Sequence, residues 1–190
     1  MSAIPSFDRE KPFAALAELA RQRLAPTEAE LAQNFLGAYF HRVPSDDLAR
    51  SDPETLYASA LSHLDLARQR QPGQLLLRAY NPTKTQAGGT NPHTVVEAVV
   101  DDMAFLVDSA SMVLNRLGYT IYLTIHPVLD VSRDNTGNLI ALNHRSADAG
   151  HESFLCFQIS RESRAERLGW VISTQQQLSR LTLSREIQVG

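Results

Sequence analysis

Apolar residues recur at helical spacing through the first third of the chain. Phe13, Leu16, Leu19, Ala20 and Leu24 fall on one face of residues 12–24, which predicts an amphipathic helix. Pro26 interrupts it, and Thr27 with Glu30 has the form of a capping box for the next helix. That helix buries Leu31, Phe35, Ala38 and Tyr39 and stops before Pro44. A third begins at Ser51-Asp52-Pro53-Glu54, which combines an N-cap, an early proline and an acidic first turn. Leu56, Tyr57, Ala60, Leu61, Leu64 and Ala67 carry its apolar stripe to about Gln69.

After Gln71-Pro72-Gly73 the period changes. Residues 75–80 read as a strand, and the Pro, Gly and Asn of NPTKTQAGGTNPH mark a loop. Residues 94–100 are dense in β-branched side chains and read as a buried strand. Residues 103–117 return to helical period, with Phe105, Leu106, Ala110, Val113, Leu114 and Leu117 inward and Gly118 as C-terminal cap. A long strand follows over 119–131, with Ile121, Leu123 and Ile125 alternating. The turn Asp134-Asn135-Thr136-Gly137 leads to a hairpin partner at 139–142. A polar loop at 145–150, a strand at 153–159 and a helix from about Glu162 to Gln188 complete the pattern. One helix between two strands demands a right-handed crossover, while the hairpin is antiparallel. The economical fold is α+β. A helical subdomain (1–71) precedes a ferredoxin-like domain (72–190), a mostly antiparallel sheet with its helices on one face.

Composition narrows the function without naming it. A formal net charge of −3 gives no footprint for nucleic acid or acidic lipid. Arg68 and Arg70, and Arg161, Arg164 and Arg167, stand among acidic or polar neighbours and read as solvated faces. Cys156 is the only cysteine, which excludes an internal disulfide and a cysteine-based metal cluster. No apolar run approaches the roughly 20 residues of a membrane span. MSAIPSFDREK does not have the form of a signal peptide. The expectation is a soluble cytoplasmic protein with no nucleic-acid or membrane partner.

The residues with chemistry to offer cluster where the 94–100 strand passes into the next helix. Asp102 is placed to cap that helix, its carboxylate accepting backbone N–H groups. The alternative makes the turn a ligand or interface site, since helix N-termini attract anions. Two adjacent aspartates oppose an anion there. Asp101, Asp102, Met103, Phe105, Asp108 and Ser109 form the candidate effector-binding or interface set. Asp108 and Ser109 are either a contact with a neighbouring subunit or a helix edge at the surface. Asp130, Arg133 and Asp134 suggest a salt-bridged turn. His126 has no second ligand or orienting group at useful spacing, so a structural role is favoured over metal binding or base catalysis. Cys156, between Leu155 and Phe157, reads as a buried inert thiol. Gly88-Gly89 lacks the rest of a P-loop, and no dinucleotide-binding glycine fingerprint is present. No complete catalytic set, metal site or cofactor site is evident.

The run DDMAFLVDS at 101–109 after a strand is similar to the start of ACT domains, which regulate amino-acid metabolism by binding amino acids at that turn. The same run, with LGYTIYLTIHPVLDVSRD at 117–134, Gly137 and ESFLCFQISR at 152–161, resembles the N-terminal region of the large bacterial NAD-specific glutamate dehydrogenases. The resemblance implies an ACT-like module of a longer polypeptide. Its dehydrogenase domain, which lies far downstream, converts L-glutamate, NAD and water to 2-oxoglutarate, ammonia and NADH. NAD then belongs to the full-length parent and not to this chain. The implied partners are the remainder of the polypeptide and further copies in a homo-oligomer. Met103 and Ala104 carry Cβ atoms where close approach of an amino acid favours glycine, which points to packing. Two other readings stay open: an amino-acid sensor binding its effector at 101–109, and a free-standing protein-interaction adaptor.

Overall fold

The computed structural model describes residues 10–44, 47–48, 51–83, 91–143, 150–164 and 169. Three helices come first: α1 (Glu10–Arg23), α2 (Pro26–Tyr39) and α3 (Pro53–Leu66). Asp52 caps α3, its carboxylate accepting the Thr55 N–H at 3.1 Å. The capping box expected at Thr27 does not form. Ala25 is the N-cap of α2 and Pro26 opens the helix, a position where its missing N–H costs nothing.

The strands are β1 (Leu76–Tyr80), β2 (Thr94–Asp101), β3 (Ile121–Ile125), β4 (Val128–Arg133), β5 (Leu139–Leu142) and β6 (Gly150–Ile159). Helix α4 (Leu106–Arg116) crosses between β2 and β3. The sheet order is β1-β2-β6-β4-β5, with β3 also on β6, and every described pairing is antiparallel. The fold is therefore α+β, with the mostly antiparallel open sheet of an ACT-like domain.

The single long strand expected over 119–131 is two strands, and the reason is Pro127. Ile125 faces Cys156 and Val128 faces Ser153, so two residues lie between on each side and the register runs straight through. Proline has no N–H to give the ladder. Its carbonyl stays in place and accepts from the Phe154 N–H at 3.0 Å.

Strands β2 and β6 lie mid-sheet and are covered on both faces. Val95 and Val99 of β2, with Phe154 and Cys156 of β6, point toward α1–α3 and share one core with Leu16, Phe35, Leu36, Tyr39 and Leu64. Val96, Ala98, Val100, Leu155, Phe157 and Ile159 point the other way, toward Leu114 and the inner side of α4. The N-terminal helices thus occupy the face opposite α4. The second helix expected on the α4 face, from about 162 to 188, has no helical structure at 162–164 and otherwise lies almost wholly outside the described residues. So do much of the polar loop at 145–150, Gly88-Gly89 and Arg167.

Phe154 is the knot between helices and sheet. It is fully buried, with ring centroids 5.3 Å from Phe35 and 5.4 Å from His63. Phe154→Ala is expected to cost about 3–5 kcal/mol through lost burial and an unfilled cavity. Urea unfolding followed by circular dichroism measures it, with helix and sheet signals lost in one transition. A cost below about 1 kcal/mol, or two separate transitions, would show that the layers are not coupled through this ring.

Candidate functional site

The turn between β2 and α4 carries the candidate residues, and the structure sends them in different directions. Asp101 turns toward the segment that follows α3. Its carboxylate accepts from Arg70 Nη2 at 2.6 Å and from the Gly73 N–H at 2.8 Å. Asp102 turns the other way and accepts the Ser153 hydroxyl at 2.5 Å, while its own N–H donates to the His151 carbonyl. Asp102 is therefore not the helix cap. Phe105 holds the N-cap position, with no side-chain cap hydrogen bond. Two residues of turn separate Asp102 from it, too many for an N-cap carboxylate. Met103 is half-buried against the α4-side core, and Asp108 is exposed on the first turn of α4. The Ser109 N–H closes that turn onto the Phe105 carbonyl at 2.9 Å.

Phe105 is the unusual residue of the set. Its backbone is left-handed (φ 63°), and its side chain is 76% exposed. A residue with a Cβ pays roughly 1–2 kcal/mol in that conformation. Met112, two helical turns along the same face, is 71% exposed. The turn thus presents two large apolar side chains outward, with Asp108 between them.

Behind the turn lies a buried charge network absent from the sequence reading. Arg70 is not on a solvated face: it is 1% exposed, pairs with Glu152 at 2.9 Å and Asp101, and donates to the Gln74 carbonyl. Arg133 pairs with Glu152 through two bonds of 2.7 and 2.8 Å and donates to the Ala67 and Gly137 carbonyls. The expected salt-bridged turn of Asp130, Arg133 and Asp134 accordingly does not exist. Asp130 pairs with His151 at 2.7 Å, and Asp134 accepts from Thr136 and Asn138 within its own turn. Gly137 has φ +85°, and a Cβ there would sit 2.5 Å from the Arg70 carbonyl oxygen, so only glycine fits.

A second buried polar set lies between the helices and the sheet. His63 Nε2 is 3.1 Å from the Ala98 carbonyl, which can only accept, so that nitrogen carries the proton. Nδ1 then accepts from the Tyr39 hydroxyl at 3.0 Å. Burial pushes the His63 pKa down to about 3, and the ring is neutral. Glu97, fully buried on β2, bonds Arg78 at 2.6 Å and the Tyr80 hydroxyl at 3.2 Å. Burial pushes its carboxyl above the usual range, with Arg78 opposing. One signal for Glu97 was in the sequence: a lone carboxylate in the apolar run TVVEAVV. Cys156, the cross-strand neighbour of Glu97, is buried, and burial pushes its thiol well up, as an inert thiol should be.

Ser153, His126 and Asp102 form a chain that resembles a catalytic triad in composition only. The Ser153 proton goes to Asp102, and His126 Nε2 lies 3.0 Å from the same oxygen. The serine is fully buried, and its hydroxyl is committed to a carboxylate rather than to a base. His126 is structural. Among the described residues no group of three or more His, Cys, Asp or Glu side chains could hold a metal ion. None of their helices is long and apolar enough to cross a membrane.

The geometry defines an ACT-like α+β domain whose buried charged groups Arg70, Glu97 and Glu152 are paired within it. Comparison with known proteins gives the family. The family model described as "Glutamate dehydrogenase, ACT1 domain" matches residues 35–172. The NAD-specific glutamate dehydrogenase of Halomonas elongata is 30% identical over 156 residues, covering 80% of this chain and 10% of that protein. The enzyme of the same name from Pseudomonas aeruginosa is 32% identical over 137 residues, covering 70% of this chain and 8% of that protein. No solved structure matches. The chain belongs to the glutamate dehydrogenase ACT1-domain family, and it spans about a tenth of the length of the curated relatives it matches.

His63 makes stability depend on pH. An unfolded His63 titrates near 6.5, whereas the buried ring resists protonation until about 3. Between these values the unfolded chain binds a proton that the native chain does not. Stability is thus fully present above about 6.5 and falls as the pH drops toward 3. Glu97, with its folded pKa raised, offsets part of this loss, and His126, lowered mainly by burial, adds to it. Urea midpoints measured from about pH 7.5 to about pH 5 should lose about 2 kcal/mol through His63. His63→Gln keeps a donor for Ala98 and should remove that portion. An unchanged slope in the variant would refute the assignment.

Proposed function

We propose that this chain is a structural and regulatory module of a longer NAD-specific glutamate dehydrogenase, with catalysis carried out elsewhere in the polypeptide. Its contribution is packing between domains or subunits through the β2–α4 turn. The partners are the remainder of the polypeptide and further copies in a cytoplasmic homo-oligomer. The full-length enzyme converts L-glutamate, NAD and water to 2-oxoglutarate, ammonia and NADH, with NAD held outside this chain. The observation that carries the reading is Phe105: a strained, exposed aromatic ring on the same face as Met112. Such paired exposed apolar groups on a stable domain mark an interaction surface. The relatives' names and their much greater length support the placement within a dehydrogenase. Within the chain, the segments 1–71 and 72–190 act as a single folding unit, because α1–α3 and the sheet share one core.

Two measurements test this. The isolated 190-residue chain, supplied with glutamate and NAD, should produce no NADH; measurable turnover would sink the proposal. In the full-length polypeptide, Phe105→Gly removes the ring and the left-handed strain together. The isolated chain should then be as stable as before, or more stable by up to about 1 kcal/mol. Assembly of the full-length protein, followed by analytical ultracentrifugation, should weaken at least tenfold. Unchanged assembly would count against packing at this turn.

A further inference from the structure

A cleft of about 220 Å³ opens beside the β3–β4 break. Against roughly 30 Å³ per liquid water, it holds several waters or one small molecule. His41 and Arg42, which follow the C-terminus of α2, form one wall, and residues 124–129 with Asn143 form the other. Among the described residues no carboxylate lines it.

Three features point the same way. Arg42 has no ion-pair partner among the described residues, unlike Arg70, which has two, and Arg78 and Arg133, which have one each. The nearby acids are engaged elsewhere: Asp130 with His151, and Asp102 with Ser153. The outer side of residues 126–127, where no strand pairs, also leaves a donor over. Pro127 turns its carbonyl toward β6, and successive residues of an extended strand alternate sides, so the N–H of His126, a residue that lines the cleft, points away from β6. It has no acceptor among the described residues, although His126 is only partly exposed. The α2 macrodipole opposes an anion, at about half a negative charge. The full charge of Arg42 outweighs it.

We propose that this cleft binds a small oxyanion, a carboxylate or phosphate group, held by the Arg42 guanidinium and the backbone N–H of His126, with His41 and Asn143 at the rim. The site is separate from the β2–α4 turn and stands whether or not that turn is an interface. Backbone N–H donors facing a guanidinium are a recurrent way of holding such groups.

The test is amide NMR of the 190-residue chain titrated with inorganic phosphate and, separately, with glutarate, each against sodium chloride at matched ionic strength. The His126 amide should move downfield and saturate with at least one probe and not with chloride. Saturation by phosphate alone assigns a phosphate ligand, by glutarate alone a carboxylate ligand, and by both a general oxyanion site. Arg42→Ala, at an exposed position, should weaken binding at least tenfold. Arg21→Ala, which removes a surface arginine paired with Glu18 on α1, should leave it unchanged. The proposal is overturned if neither probe moves the His126 amide beyond chloride, if Arg42→Ala binds as tightly as the parent chain, or if Arg21→Ala weakens binding equally.

Discussion

The pairing of β2 with β6 is the constraint on which the rest of the fold depends. It runs from Thr94 opposite Ile159 to Asp101 opposite Glu152 without a break, and helices cover both of its faces. A polar side chain on either strand is therefore cut off from water and must find its partner within the protein. Thr94, Glu97, Glu152 and Ser153 are all buried there, and each is met by a different segment. Thr94 is met by Asn81 and Glu162, and Glu97 by Arg78 and Tyr80. Glu152 is met by Arg70 and Arg133, and Ser153 by Asp102 and His126. Buried ion pairs of this kind add little net stability over apolar replacements, but breaking one costs about 3–5 kcal/mol. Their effect is to fix which segments meet the central strands, and in which register.

The same constraint explains what the sequence disclosed. The helices, the β-branched run at 94–100 and the 139–142 hairpin were legible, because each announces itself through local period or turn chemistry. The partners of charged residues were not. Arg70 stands in the polar stretch ARQRQPGQ, which looks solvated until Asp101 and Glu152 come together at the ends of β2 and β6. Arg133 sits between two aspartates in sequence, yet its partner lies across β4 on the neighbouring strand. Only register decides such cases. Asp102 failed as a cap for a related reason. Local preference favoured the helix, but the buried Ser153 of β6 donates its hydroxyl to the carboxylate instead.

The candidate site was legible as a place and not as a mechanism. Residues 101–109 do form the connection into α4, and the family resemblance carried by them holds. The directions taken by Asp101 and Asp102 follow from tertiary contacts, so no spacing argument reached them. The cleft beside Pro127 was equally hidden. A proline in a strand signals a missing ladder donor, but where the N–H of the residue before it points depends on which side β6 occupies.

Phe105 is the residue on which the proposal of packing at this turn rests. A left-handed position ordinarily goes to glycine or asparagine, and a large ring mostly in water gains little from burial. In an isolated domain both features are costs, each removable by a single substitution. They become favourable together once another surface covers the ring, since burying a phenylalanine returns about 1.5–3 kcal/mol. That exceeds the backbone strain of roughly 1–2 kcal/mol. The neighbouring groups that would draw a polar effector, Asp101 and Asp102, already have partners inside the domain. What the turn still presents outward is the Phe105 and Met112 pair with Asp108 between them, which suits the proposed packing better than the capture of a polar effector.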